Sequence, residues 1–76
     1  MTREENLADA KRRALVYLDG HVGPTRFRDT FLAMTERLAE HPENQGRYGS
    51  DVMLTGLLAA TEENETDMRA WIEELQ

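Results

Sequence analysis

Side chains able to support acid–base or metal chemistry are present, but they form no recognised pattern. The chain has two histidines, His21 and His41, and no cysteine. Neither histidine has a second histidine or a glutamate at the spacing that puts two ligands on one helical face, so no zinc or di-iron site is predicted. No nucleophile motif or glycine-rich phosphate loop is present. We therefore expect no enzymatic activity, no bound metal and no cofactor.

The remaining chemical signal is carboxylate charge, which is concentrated in the second half of the chain. The net charge is −6; residues 1–38 carry seven basic and six acidic side chains, and residues 39–76 carry two and nine. This balance argues against direct binding of nucleic acid and favours attraction to a basic protein surface. The predicted partner-binding residues are the acids of residues 61–76: Glu62, Glu63, Glu65, Asp67, Glu73 and Glu74.

A helix near the end of the chain must position these carboxylates. Its apolar residues recur at helical spacing, which places them on one stripe and leaves most of the acids on the other side. One continuous helix over 51–75 fits the heptad phase. A break is favoured because Asn64 can cap a new helix with Glu65 and Asp67 in its first turn. The stripe consists of Met68, Trp71, Ile72 and Leu75.

The first helix is predicted over residues 3–19. Thr2 and Glu5 have the T-x-x-E spacing of a capping box, in which each residue satisfies a backbone N–H of the other. Gly20 follows the last apolar position and is predicted to end the helix as a left-handed C-cap.

The second helix is predicted from Pro24 to about Glu40. Proline is preferred as the first helical residue, which would make Gly23 the N-cap. Val22 and Phe27 would then form a hydrophobic staple. One apolar stripe follows, made of Phe27, Phe31, Met34 and Leu38.

The third helix is predicted to start after a turn-rich segment, residues 41–50, with Ser50 as its cap. Its apolar residues cover a broad face, so we expect it to be the most buried helix, with Leu57 in the core. Gly56 indicates a close approach to another helix. The apolar residues are Val52, Met53, Leu54, Leu57 and Leu58.

Together these elements predict an all-α fold, a small antiparallel helical bundle of three to four helices, with residues 1–76 as a single helical domain. The N-terminus is charged from its third residue, which is unlike a signal peptide. The longest apolar run, residues 57–60, is too short to span a membrane. We therefore predict a cytoplasmic protein that does not bind membranes.

Residues 17–32 resemble a pattern found in colicin-type bacteriocin immunity proteins, which include small helical proteins. The matching elements are a Y-L-x-G segment, a branched apolar residue, a capped second helix and an F-x-x-x-F-L segment, here Tyr17, Leu18, Gly20, Val22, Phe27, Phe31 and Leu32. The resemblance implies stoichiometric inhibition, in which an acidic face covers the basic surface of a nuclease. A phage-encoded inhibitor of a defence complex, such as an anti-CRISPR protein, would share these physical features.

Two other classes of function remain open. The chain could be a structural or assembly module that forms a homodimer through the apolar stripe containing Trp71. It could also be a helix-turn-helix protein that binds nucleic acid through arginines near the first inter-helix turn, although the acidic remainder weighs against this. Those arginines are Arg12, Arg13, Arg26 and Arg28.

Overall fold

Four α-helices form the protein, and no strand is present. The computed structural model describes all residues, 1–76. The helices are α1 (Arg3–Gly20), α2 (Arg26–Ala39), α3 (Ser50–Thr61) and α4 (Glu65–Glu74), with a short 3₁₀ helix, Pro42–Asn44, between α2 and α3. The predicted all-α class is confirmed.

The capping box at the start of α1 is confirmed. Thr2 Oγ1 accepts from the Glu5 N–H at 3.1 Å, and Glu5 Oε1 accepts from the Thr2 N–H at 2.9 Å. The prediction for Gly20 is wrong, because Gly20 is the last helical residue and has no positive φ. The chain leaves the helix at His21, which is extended and donates its N–H to the Tyr17 carbonyl at 3.1 Å. No left-handed residue is therefore needed.

The predicted start of α2 is also wrong. The helix begins at Arg26 rather than Pro24, and Gly23 lies in the preceding turn with φ +111°. That φ is unlike the extended conformation of an N-cap, and it favours glycine. Val22 is 95% exposed, so no hydrophobic staple forms. The turn is instead held by Arg26, whose Nε donates to the Leu18 carbonyl at 2.6 Å.

Helices α1 and α2 form an antiparallel hairpin. The end of α1 meets the start of α2 through the Arg26 contact to Leu18. At the other end, Asn6 Nδ2 donates to the Arg37 carbonyl at 2.9 Å. Arg37 also pairs with Asp9 at 2.6 Å. These contacts at both ends fix the register of the hairpin, and they confirm the antiparallel arrangement predicted for the first two helices.

Helix α4 packs antiparallel to α1 and completes the core. Lys11 Nζ donates to the Glu73 carbonyl at 3.0 Å, and Arg69 pairs with Asp19 farther along α1. Between these contacts, residues from all four helices share one apolar cluster. The buried cluster contains Ala10, Ala14, Leu18, Met34, Leu38, Ala59, Met68, Trp71, Ile72 and Leu75.

Residues outside the helices cap the starts of both α3 and α4. Ser50 is the first helical residue and makes no side-chain cap; Gly49 is the N-cap, and its carbonyl accepts from the Met53 N–H at 3.2 Å. The predicted Ser50 cap is therefore wrong by one residue. The predicted break before α4 is confirmed, because Asn64 Oδ1 accepts from the Asp67 N–H at 3.0 Å.

The face that α3 turns to the core is only partly the one predicted, because Val52 and Met53 pack against the core cluster and the three leucines do not. Its fully buried residues are Gly56 and Ala59, whereas its three leucines are about half exposed. The reason is the indole of Trp71: a Cβ built on Gly56 would lie 2.6 Å from its Cζ2 atom. Only a helix surface without side chains fits there. The close approach predicted at Gly56 is thus confirmed, and the predicted burial of Leu57 is wrong.

A buried polar network, which the sequence pattern did not indicate, ties the 3₁₀ helix to the α1/α2 hairpin. Asn44 Nδ2 donates to Asn6 Oδ1 at 2.8 Å and to the Leu38 carbonyl at 2.9 Å. Both asparagines are buried. Beside them, Tyr48 is half-buried and accepts a hydrogen bond from Arg3 at 3.2 Å. The turn-rich segment is therefore folded back on the hairpin.

Asn44→Ala is expected to lower the free energy of unfolding by about 1–3 kcal/mol, because it leaves the buried side-chain oxygen Oδ1 of Asn6 without its hydrogen-bond donor. Urea denaturation with an unchanged m-value would measure the loss. Gln45→Ala is the matched control, since this neighbouring amide is exposed and makes no side-chain hydrogen bond. Equal midpoints for the two variants would contradict the structural role of the network.

Candidate partner-binding surface

Helix α4 has the polarity that its sequence predicts. Met68 and Ile72 are fully buried, and Trp71 and Leu75 are nearly so. All six predicted partner-binding carboxylates are exposed. The apolar stripe thus fixes the helix, and its opposite side presents negative charge to solvent.

Trp71 connects α4 to both α2 and α3. Its indole ring stacks on Phe31 of α2, with 5.4 Å between ring centroids. Its Nε1–H donates to the Val52 carbonyl of α3 at 3.0 Å, and the Gly56 backbone covers the ring. The apolar stripe that contains Trp71 is therefore used within the molecule, so the predicted homodimer through this stripe has no free surface there.

An open groove of about 860 Å³ runs between α3 and α4. Residues of both helices form its apolar floor, and carboxylates and Arg47 border it. Because Trp71 holds the two helices together at the floor, the groove is a fixed surface feature of the fold. The floor consists of Val52, Leu58, Ala59, Ala70, Trp71 and Leu75.

Three of the six predicted acids line this groove: Glu62, Asp67 and Glu74. None of the three forms an ion pair within the molecule; the salt bridges of the structure are made by other carboxylates. Asp67 and Glu74 are seven residues apart on one helix, which corresponds to about 10 Å along the axis. The groove therefore has carboxylates near both ends and an apolar floor between them.

The other three predicted acids lie elsewhere. Glu65 pairs with Arg26 at 3.3 Å and with Arg69 at 3.4 Å, so its charge is partly neutralised. Glu73 borders a smaller depression beside Arg69. Glu63 sits in the turn before α4 with φ +52°, an unusual conformation for a residue with a side chain. The structure thus divides the predicted acidic site into a groove set and a flanking set.

Arg69 and Asp19 fix α4 to α1 through a charged hydrogen bond. The guanidinium of Arg69 lowers the pKa of the Asp19 carboxyl by hydrogen bonding to it, and the same contact raises the pKa of Arg69. Asp19 therefore stays ionised at lower pH than a free aspartate. This contact holds the acidic helix in place from the side opposite the groove.

The arginines considered for nucleic-acid binding do not form a free basic patch. Each contacts a carboxylate within the molecule, although Arg12 and Arg13 share Asp9 with Arg37, so their positive charge is offset only in part. Arg12 and Arg13 pair with Asp9, Arg26 pairs with Glu65, and Arg28 pairs with Asp29.

The two histidines lie at different helix ends. His21 packs its ring on Tyr17, with 4.4 Å between centroids, and His41 Nε2 lies 3.0 Å from the Met1 carbonyl. No group of three or more histidine and acidic side chains is arranged to hold a metal ion. No helix has both the length and the apolarity needed to cross the membrane.

Sequence reasoning missed the α3 wall of the groove, because it placed the apolar residues of α3 in the core. A signal was available: Gly56 and Ala59 are small and three residues apart, which marks the face of a helix that can approach another closely. Placing that face inward would have put Leu58 and Thr55 beside α4, where they line the groove.

Comparisons with protein-family models, with curated proteins and with solved structures found no match to this chain.

Proposed function

We propose that the α3/α4 groove binds a basic segment of a partner protein, and that the chain inhibits that partner by stoichiometric binding rather than by catalysis. The observation that carries the proposal is the combination of an apolar floor with three carboxylates that have no ion-pair partner in the molecule: Glu62, Asp67 and Glu74.

This combination suits a partner segment with both cationic and apolar side chains. Burial of the partner's apolar side chains on the floor is favourable because it removes apolar surface from water. The carboxylates favour positive surfaces over neutral or negative ones. The net charge of −6 adds long-range attraction, which raises the rate of association with a basic protein. Nucleic-acid-processing proteins present such basic surfaces because they must bind phosphates.

Inhibition follows when the covered surface is the one that holds nucleic acid. The resemblance of residues 17–32 to colicin-type immunity proteins supports this class of function, and so does the acidic second half of the chain. A nuclease immunity protein and a phage-encoded anti-defence protein, such as an anti-CRISPR protein, would use the same contact. In both cases the chain competes with phosphate for a basic surface.

The experiment is affinity capture from host lysate and from phage-infected lysate with three forms of the chain. The groove variant carries Glu62→Gln, Asp67→Gln and Glu74→Gln. The matched control carries Glu4→Gln, Glu36→Gln and Glu43→Gln, which changes the net charge equally at exposed acids that form no ion pair. We expect wild type and control to capture a basic nucleic-acid-processing protein, and the groove variant to lose it.

The captured protein is then titrated with the chain at increasing ionic strength. Affinity should fall as salt screens the carboxylates, and the activity of the partner on nucleic acid should be lost at one equivalent of bound chain. Equal capture by the groove variant and the control would contradict the proposed site. Capture of a partner whose activity is unchanged at saturation would contradict inhibition.

A further inference from the structure

We propose that the outward face of α3 is an interface between two copies of this chain. The face is the leucine strip, defined as Leu54, Leu57 and Leu58. Leu58 also belongs to the groove floor, so the strip adjoins the groove, whereas Leu54 and Leu57 lie outside it and distinguish the two surfaces.

The orientation of α3 leaves its three leucines exposed. A surface helix normally turns its large apolar side chains to the core and its small or polar ones to water. In α3 the buried residues are Gly56 and Ala59, Val52 and Met53 are partly buried against the core, and the three leucines are 47–51% exposed. The core does not need these leucines, because the indole of Trp71 fills the space beneath Gly56. A contiguous exposed apolar strip of this kind marks an interaction surface.

The absence of charge on the strip identifies the occupant as another copy. Residues 52–61 are the longest stretch of the chain without a charged side chain, in a molecule of net charge −6. A basic partner would meet no carboxylate on the strip. It would bind the groove instead, where carboxylates are present. A second copy brings the same uncharged strip. This is where two acidic molecules can meet without placing carboxylates face to face.

A two-fold axis through the strip sets leucines against leucines, which satisfies the self-complementarity of a symmetric dimer. Asp51 and Glu62 flank the strip, so two α3 helices aligned along their length would bring acidic ends together. An inclined crossing of about −50°, common for packed helices, keeps these ends apart. One short helix buries less than the roughly 800 Å² per partner of a stable interface, so the dimer should be weak and depend on concentration.

The test is sedimentation equilibrium from micromolar to millimolar protein. For the wild type, the average mass should rise from 8.7 kDa toward twice that value. The variant Leu54→Gln/Leu57→Gln should remain at the monomer mass, and circular dichroism should confirm that it is folded. Val16→Gln is the matched control, because Val16 is 57% exposed on α1, which packs on α2 and α4 rather than on the strip. The control should associate like the wild type.

Salt separates this inference from the proposed partner binding. Self-association should strengthen with ionic strength because salt screens the repulsion between two acidic molecules, whereas binding of a basic partner should weaken. A wild type that stays monomeric at millimolar concentration and high salt would overturn the proposal. So would unchanged dimerisation of the double variant, or growth into assemblies larger than a dimer.

Discussion

Trp71→Ala is expected to lower the free energy of unfolding by about 3–5 kcal/mol, the usual range for removing a large buried aromatic side chain. The indole is buried, stacks on Phe31 and is covered by the backbone at Gly56. Its removal would leave a cavity between three helices, and the Val52 carbonyl would lose the hydrogen bond from Trp71 Nε1. For 76 residues the total stability is about 4–11 kcal/mol, so the variant should be largely or wholly unfolded at 37 °C.

Thermal and urea denaturation followed by circular dichroism would measure this loss, since Trp71 is the only tryptophan of the chain and its own signal disappears in the variant. Trp71→Phe is the informative control. It keeps an aromatic ring against Phe31 but loses the Nε1 hydrogen bond, so we expect a smaller loss. A Trp71→Ala variant that melts like the wild type would refute the central role of this residue in packing.

Ile72→Ala and Leu57→Ala should differ sharply, although both remove an aliphatic side chain. Ile72 is fully buried, and its truncation should destabilise the protein by about 2–5 kcal/mol. Leu57 is half exposed on the leucine strip, and its truncation should change the stability of the monomer by about 0.5 kcal/mol or less. The sequence pattern alone assigns both residues to the core.

The comparison is made by urea denaturation at low micromolar concentration, where the proposed dimer is dissociated. Similar losses for the two variants would mean that α3 packs with its leucines inward, contrary to the structure. Repeating the measurement near millimolar concentration adds a check on self-association, because only there should Leu57→Ala lose additional stability relative to the wild type.

The contrast between α4 and α3 shows why only part of the fold follows from the sequence. In α4 the apolar and charged residues lie on opposite sides, so the buried face of Met68 and Ile72 is determined by the helix itself. In α3 nearly every residue is uncharged, so periodicity does not select a face. A residue outside the helix contributes to the choice, because the indole of Trp71 leaves no room for a side chain at Gly56.

The candidate site, like the fold, was predictable only in part from the sequence. Carboxylates are recognisable from composition, and all six predicted acids are exposed. The division of these acids into a groove set and a flanking set was not predictable, because it depends on tertiary contacts. Arg26 of α2 pairs with Glu65, whereas no basic side chain of the molecule pairs with Glu62, Asp67 or Glu74. The turn before α2 was missed for a similar reason, since the contact of Arg26 with Leu18 outweighs the local preference of Pro24 for a first helical position.

The outward orientation of the α3 leucines also affects local opening of the fold, in which one helix detaches from the others. The buried residues of this helix are the small Gly56 and Ala59, and Val52 and Met53 are only partly buried, whereas α4 contributes the buried Met68, Trp71 and Ile72, so detaching α3 should expose less apolar surface of the detached helix. The backbone amides of α3 should therefore exchange with solvent deuterium faster than those of α4. Both proposed binding surfaces include residues of α3. An occupant of either surface would slow this exchange, so the order of α3 should depend on what the protein binds.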